Sequence, residues 1–469
     1  MRLIAGTANV LSDAEVKAVH KAVLRILAET GMWIENDDIL RHLEAYGGSV
    51  DYARQRVRYA PEFVERFLAD CDKLDWAGVV PSASASSGVY YGLYHDPETN
   101  DLVPWTEERL TRYWALALQL PNVGRTGMLG CPLSPLPQLE PLYERLYTWK
   151  YGVGESGTIH LDELCPYILE VSQMRAQQLG KPLKDVFRGT AYLVPPLKLG
   201  RHEAYQFMYY YERGLEVHLG DMYAMGATAP VTIAGAVALN LAERIALGIM
   251  RRAFFGGTSF WLGSSISPLD MRTLIYPYGR PELAYTNVVG AQMARFYSLP
   301  FSGHSGLTDA KLPSAEAGAH KAFTAMATLM AVGHTHMDAG LLSIDEVCSP
   351  LQMIIDNDIC GSLKHFCREF GAGEEELAVD LIAALGPGGN FMATDHTARH
   401  FRGELWEPRI WSRQMVGSWL QTGRKVDVDY AREMYEGLKP DLVIEPKIAD
   451  QEERDIRALI ERARTELRW

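Results

Sequence analysis

Apolar residues recur three and four positions apart through "SDAEVKAVHKAVLRILAETG", which predicts an amphipathic helix capped by Ser12 and stopped at Gly31. The stretch "SVDYARQRVRYAPEFVERFLADC" reads as a short hairpin-like piece followed by a helix entered through Pro61. Between 76 and 105 the periodicity breaks. "PSASASSGVYYGLYHDPETNDLVPWT" is a run of small residues and then a hairpin turning near Asn100, expected to be a flap or insertion. From about 106 to 400 short apolar runs alternate with longer helical patterns. "VGRTGMLG" precedes a helix at 139–151, "SGTIHL" one at 163–179, "FRGTAYLVPPL" one at 201–214 and "LEVHLG" one at 232–254. "TSFWLG" precedes 281–297, "LPFSGHSG" precedes 314–332, and "HTHMDAG" precedes 350–370. With the helix at 374–385 as part of an eighth unit, this rhythm predicts an α/β chain built as a parallel (β/α)8 TIM barrel rather than an open sheet. No GxGxxG follows an early strand, so a dinucleotide-binding sheet has no support. Three parts are expected: a helical extension with its hairpin insertion at 1–105, the barrel at 106–420, and charged helices at 421–469 packing on the barrel or a neighbouring subunit.

Strand alternation then assigns directions. Residues facing the surrounding helices must be apolar, so the polar residues of each strand face the barrel axis. Phe260 and Leu262 outward turn Ser259 and Trp261 inward; Val217 and Leu219 outward turn His218 inward. By the same parity Ile159 and Leu161 leave His160 inside, Phe301 leaves Ser302 and His304 inside, and Met337 leaves His336 and Asp338 inside. Several strands therefore send a His, Trp or Ser to one interior.

Composition narrows the partners. The net charge of −13 offers no basic stripe for a phosphate backbone, which excludes nucleic acid. The six cysteines are scattered without a CxxC pair, as expected of reduced thiols in a cytoplasm. The first residues lack the basic and apolar regions of a secretory signal, and no apolar run of membrane-spanning length is expected. The reading is a cytoplasmic chain that could form a homo-oligomer.

Active sites of this architecture lie on the loops after the strands' C-terminal ends. Four such loops, "MGATAPVT", "GSSISPLDMRT", "GHSGLTDAKLPS" and "GPGGNFMATDHTARHF", are rich in Gly, Ala, Ser and Thr. Four small-residue loops on one face suit a docking surface for a broad, flat object. The His334-Thr335-His336 element offers a competing chemistry: with His160, His218, His304 and Asp338 it could ligate a divalent metal in a hydrolase.

Five motifs, in order and spacing, carry a resemblance that runs from about residue 20 to 435: "LAETGMWIENDDILRHLEAYGGSVDYARQRVRYAPE", "MGATAPVTIAGAVALNLAE", "DMRTLIYPYGRPELAYTNVVGAQMARFYSLP", "TDAKLPSAEAGAHKA" and "DLIAALGPGGNFMATDHTARHFRGELWEP". They resemble the trimethylamine methyltransferase family. The resemblance implies a barrel whose mouth receives a separate corrinoid protein, so that cobalamin comes with a partner and no tightly bound metal is expected. On that reading Gly226, Ala227, Thr228, Gly303, Gly388 and Gly389 leave room for the corrin ring. This chain contains no non-standard residue and so is similar to the non-pyrrolysine branch, which implies a quaternary amine such as glycine betaine, with carnitine, proline betaine and γ-butyrobetaine as competitors. Such a site needs aromatic faces around the cation and a donor for a carboxylate. The candidates are Tyr94, Trp261 and Phe391 for the rings, and His304, Arg272 or His396 for the carboxylate. A non-catalytic binder of quaternary amines is the remaining alternative.

Overall fold

In "SASASSGV" serine and alanine alternate, and alternation in a strand separates the two faces. In the computed structural model, which describes residues 8–469, this stretch is the strand β1 (Ser82–Val89). Ala83 and Ala85 are buried on its outer face, whereas Ser84 and Ser86 point to the axis and bond the His336 ring. β1 pairs in parallel with β2 (Thr126–Met128) on one side and with β8 (His334–Asp338) on the other. The barrel therefore begins at Ser82, not at 106. The segment read as part of an insertion is its first strand, because small residues satisfy the strand period without the bulk that usually announces a strand.

The circuit continues through β3 (Gly154–Glu155), β4 (Thr190–Tyr192), β5 (His218–Gly220), β6 (Leu262–Ser264) and β7 (Phe301–Gly303). Parallel ladders join β2 to β3, β4 to β5 and β6 to β7, and a bridge between Thr158 and Thr190 joins β3 to β4. β5 and β6 each resume after a bend, as Tyr223–Met225 and Ile266–Pro268, and these two pieces pair with each other. No backbone ladder joins β7 to β8 among the described residues. There Ser305 Oγ donates to the His336 carbonyl at 2.8 Å and bonds Thr335 Oγ1 at 2.9 Å, so hydroxyls stitch the seam.

The outer ring consists of α1 (Glu107–Gln119), α2 (Glu140–Tyr151), α3 (Cys165–Leu179), α4 (Arg201–Tyr211), α5 (Ile233–Phe255), α6 (Pro281–Tyr297), α7 (Ala315–Val332) and α8 (Pro350–Phe366). Their starts follow from local chemistry. Thr106, Ser314 and Ser349 accept from the third amide of α1, α7 and α8, and prolines open α6 and α8. The eighth unit is thus β1 with α1; the helix expected at 374–385 is not part of the ring. α5 is long and apolar enough to cross a membrane, which the expectation of no such run missed. It is instead wedged between the strands and the N-terminal layer, and carries Glu243 and Arg244 toward the barrel.

The N-terminal layer covers α5 and α6. His42 stacks on Phe254 at 4.0 Å and bonds the Ala253 carbonyl, and the strand Met32–Ile34 pairs in parallel with Lys198–Leu199. At the other end of the chain the helix Asp450–Glu466 lies on α2 and α3, through Arg175 to Glu452, Lys150 to Glu453 and Tyr167 to Glu466. It therefore packs on its own barrel. Four short helices between Glu374 and Gln421 bury no residue within themselves. They leave the C-terminal end of α8, where Arg368 and His365 bond the Glu404 carbonyl.

One buried ion pair ties α7, α8 and the end of β8. Lys321 Nζ lies 2.7 Å from Asp356 Oδ2 with neither side chain exposed, and it also donates to the Asp338 carbonyl. Asp356 in turn accepts from the Gly340 amide and from Gln352.

Two stability predictions follow from these contacts. Ser305→Ala should lower unfolding free energy by about 1 kcal/mol in urea titration, with faster amide exchange confined to β7 and β8. Lys321→Met strands a buried carboxylate and should cost roughly 3–5 kcal/mol in the same titration.

Candidate active site

Part of the inward set read from the strands meets in one cavity of about 610 Å³, whereas Ser259 is exposed outside it and His336 and Asp338 adjoin a second hollow. His160, His218, Trp261, Ser302 and His304 line it, while Ile159, Val217, Phe301 and Met337 are buried outside. Its upper wall comes from residues just past the strands' C-terminal ends: Tyr90 after β1, Tyr192 at the end of β4, Asp221 after β5, and Tyr278 and Asp345 from the loops after β6 and β8. Trp261 precedes β6 and stacks on His218 at 6.2 Å, so both rings sit at the floor rather than the mouth.

His304 has lost its solvent. Burial, with the nearby Arg244 charge, pulls its pKa down to about 4, so the ring is neutral at pH 7. Nε2 stands 3.5 Å from Ser265 Oγ, and Nδ1 is buried without a partner. Arg244 pairs with Asp221, whose carboxyl is still raised because burial outweighs the guanidinium. His160 is held by Glu140 at 2.9 Å, and Glu140 also accepts from the Cys131 amide.

The opposite wall is a Tyr–Asp pair. Tyr278 Oη donates to Asp345 Oδ2 at 2.7 Å, while Oδ1 of Asp345 is buried and unpartnered. Burial raises the Asp345 carboxyl to about 7, against the lowering effect of the tyrosine hydrogen bond. Tyr278 is placed by its own backbone: its amide and that of Gly279 donate to the two oxygens of Asp309. Gly279 is required there, since a Cβ would lie 2.1 Å from the His320 ring. Asp345 closes a turn in which Ser343, Ile344 and Asp345 have φ of 53°, 54° and 74°. Left-handed backbone at a β-branched residue is strained and persists only where surrounding contacts over-determine it. Here the Ser343 and Ile344 amides donate to the Ala310 and Thr308 carbonyls.

A second interior hollow, about 300 Å³, adjoins His336, Asp338, Arg125 and Glu155. Both His336 nitrogens are engaged, by Ser84 at 2.9 Å and Ser86 at 2.7 Å, and His334 sits at the other end of β8. No group of three or more His, Cys, Asp or Glu has metal-holding geometry among the described residues. In the HxH element His336 is thus held by hydrogen bonds to two strand serines. Burial raises Asp338 to about 6 and Glu155 to about 7.

Of the residues singled out from sequence, His304, Trp261 and Gly303 line the main cavity. Tyr94 does not. It is 3% exposed, packs on Trp105 at 5.1 Å and lies beneath Arg109, closing the hairpin behind the mouth. Arg272 is exposed in the loop after β6, where its amide donates to Asp270, and Arg280 takes the Asp270 charge. Gly388, Gly389 and Phe391 lie in a loop beyond α8 and His396 in the helix that follows it, bonded to the Glu375 carbonyl with its ring 4.5 Å from that of His400. α8 runs against its strand, so that segment leaves from the floor side of its own barrel. Gly226, Ala227 and Thr228 do form the turn after the β5 continuation. However, the amides of 227, 228 and 229 all donate to the Ala224 carbonyl, leaving smallness rather than free N–H groups at the surface. Exposed Val231 and Met271 border that turn.

Sequence reasoning missed Tyr90, Tyr192, Tyr278, Asp221, Arg244 and Asp345. Tyr278 stood within a motif already singled out, and Asp221 directly follows "EVHLG"; both lie one step beyond the strand where parity was applied. Nothing local marks Asp345.

The chain is similar to several known proteins. A family model described as trimethylamine methyltransferase matches residues 184–468. A glycine betaine methyltransferase of Desulfitobacterium hafniense (strain Y51) is 32% identical over 435 residues, covering 88% of each chain. A trimethylamine methyltransferase MttB of D. hafniense (strain DSM 10664 / DCB-2) is 25% identical over 447 residues, 91% of this chain and 87% of the relative. The crystal structure of a hydroxylamine MtmB complex aligns over 94% of this chain and 96% of that one, at 12% identity and a TM-score of 0.42.

The raised carboxyl of Glu155 makes a pH prediction. Between its ordinary value of 4.5 and about 7 the folded chain keeps a proton that the unfolded chain has released, so this group's contribution falls as pH rises through that window. Glu155→Gln removes the titration. Relative to the parent, the variant should gain roughly 2–3 kcal/mol between pH 4 and pH 8, read as the difference in urea unfolding free energy at the two values.

Proposed function

Given that this chain belongs to the trimethylamine methyltransferase family, we propose that it transfers a methyl group from a quaternary amine, glycine betaine foremost, to the Co(I) of a corrinoid carried by a partner protein, releasing dimethylglycine. The observation that carries the reading is the tyrosine-walled cavity at the C-terminal end of the barrel. Tyr90, Tyr192 and Tyr278 offer ring faces to an onium group, and its volume falls in the range of small-molecule sites. A relative 32% identical to this chain is named a glycine betaine methyltransferase.

The chemistry asks little of acid–base residues. A Co(I) corrinoid is a strong nucleophile, and a quaternary ammonium departs as a neutral tertiary amine, so no proton must be supplied to the leaving nitrogen. A tertiary amine is a far poorer donor and needs special activation, and every residue here is a standard one. What the chain contributes is orientation and exclusion of water. The tyrosines hold the cation with one methyl toward the mouth. His304, neutral and lining the cavity, is the group assigned here to the substrate carboxylate. The corrinoid enters as a second substrate. The Gly226–Ala229 turn fits its approach, being exposed, lacking side-chain bulk, and bordered by Met271 and Val231.

The test is spectroscopic. Reduced free cobalamin, the protein and a panel of glycine betaine, carnitine, proline betaine, γ-butyrobetaine and trimethylamine are mixed, and loss of Co(I) is followed. Glycine betaine should give the fastest conversion to methylcobalamin; if no methylated amine consumes Co(I), the reading is discarded. Tyr192→Leu should raise the KM for betaine by about 2- to 30-fold, the range of a cation–π contact, with a smaller effect on kcat.

A further inference from the structure

Resting on that reading, we propose that Asp345 is the counter-ion of the substrate's ammonium group, and that the substrate binds with release of a proton from this carboxyl to water. The bond broken is the Asp345 O–H, and what replaces it is the ion contact between carboxylate and onium.

Three observations converge on this residue. Asp345 lines the cavity, and its Oδ1, shut off from solvent, has no protein partner; such groups in native structures call for an explanation. Its Oδ2 is oriented by Tyr278, a ring of the same wall, so the carboxylate and an aromatic face are presented together. It is displayed by three consecutive left-handed residues, a strained turn pinned by the loop at 308–310, and strain of this kind concentrates at functional sites. His304, with its own unpartnered nitrogen, faces Tyr278 across 6.5 Å between ring centres. The cavity therefore has an acidic end at Asp345 and a neutral donor end at His304, the polarity of a short zwitterion.

The groups facing Asp345 are Tyr276 and Tyr278 from the loop after β6, Asp338 at the end of β8, Tyr90 after β1, Cys348 on its own hairpin, and Lys321 of α7. Lys321 is the cation among them, and it is committed to Asp356 and the Asp338 carbonyl. With burial dominant, the carboxyl holds its proton to about pH 7 until a positive charge arrives. Glycine betaine has no group that titrates between pH 5 and 9, so any pH dependence of its binding belongs to the protein.

Calorimetry on the full chain with glycine betaine, in phosphate and in Tris from pH 5 to 9, decides the matter. Affinity should rise about tenfold per unit toward pH 7 and then level off, with close to one proton released per betaine at low pH and none at pH 9. Asp345→Asn should bind more weakly with a flat profile. Tyr278→Phe removes a hydrogen bond that favours the ionised carboxylate, so its profile should shift to higher pH. Betaine binding without proton release, or a parental pH profile in Asp345→Asn, overturns the counter-ion while leaving the methyl-donor reading intact. Failure of any quaternary amine to bind at any pH overturns both.

Discussion

The Lys321–Asp356 pair fixes the end of the barrel on which the site depends. Two opposite charges removed from water demand that every remaining lone pair and proton be used. Here the Asp338 carbonyl takes a second Lys321 proton, and the Gly340 amide and Gln352 donate to Asp356. The pair thereby locks the last residue of β8 against two helices, and the hairpin that follows has a fixed base from which to hold a strained turn. The placement of the Asp345 carboxyl is a product of that anchorage. Without it the Asp345 turn has only two backbone hydrogen bonds to the neighbouring loop to resist relaxing into an ordinary conformation.

Polarity inside the barrel is distributed so that each ionisable group has a neutral form or a partner. His336 is clasped by two serines, His304 is kept neutral by burial, and Asp221 has Arg244. Asp345 and Glu155 keep their protons near neutrality. The permanently charged methyl donor proposed above would therefore meet a chamber holding few mobile charges of its own. In such surroundings, aromatic faces and a single carboxylate weigh more than they would in water.

How much of this could be read beforehand depended on scale. The repeating strand-and-helix pattern carried the barrel, since its periodicities, two for strands and 3.6 for helices, are written in residue choice. Parity carried the inward set, because the strand period leaves only two options. β1 escaped: "SASASS" obeys the period but lacks the bulk that marks a strand. The site's tyrosines and Asp345 escaped as well, since they sit past the strand ends, where direction depends on bends and turn conformation. Phe391 and His396 drew attention through composition, yet only topology could reveal that they leave from the floor side. Tyr94 shows the reverse error, a ring beside the mouth in sequence that is absorbed by Trp105 and Tyr113.

α5 has a consequence beyond its length. Its inner side carries Glu243, which accepts from the Leu197 amide, and Arg244, which meets Asp221 where β5 bends. Its outer side is gripped by the N-terminal layer through His42 and Phe254. One rigid rod thus spans from the coat of the molecule to the lining of the chamber. A tilt imposed on the coat would reach the guanidinium as a displacement, with little slack between, so residues far from the methyl group share in setting the shape it encounters.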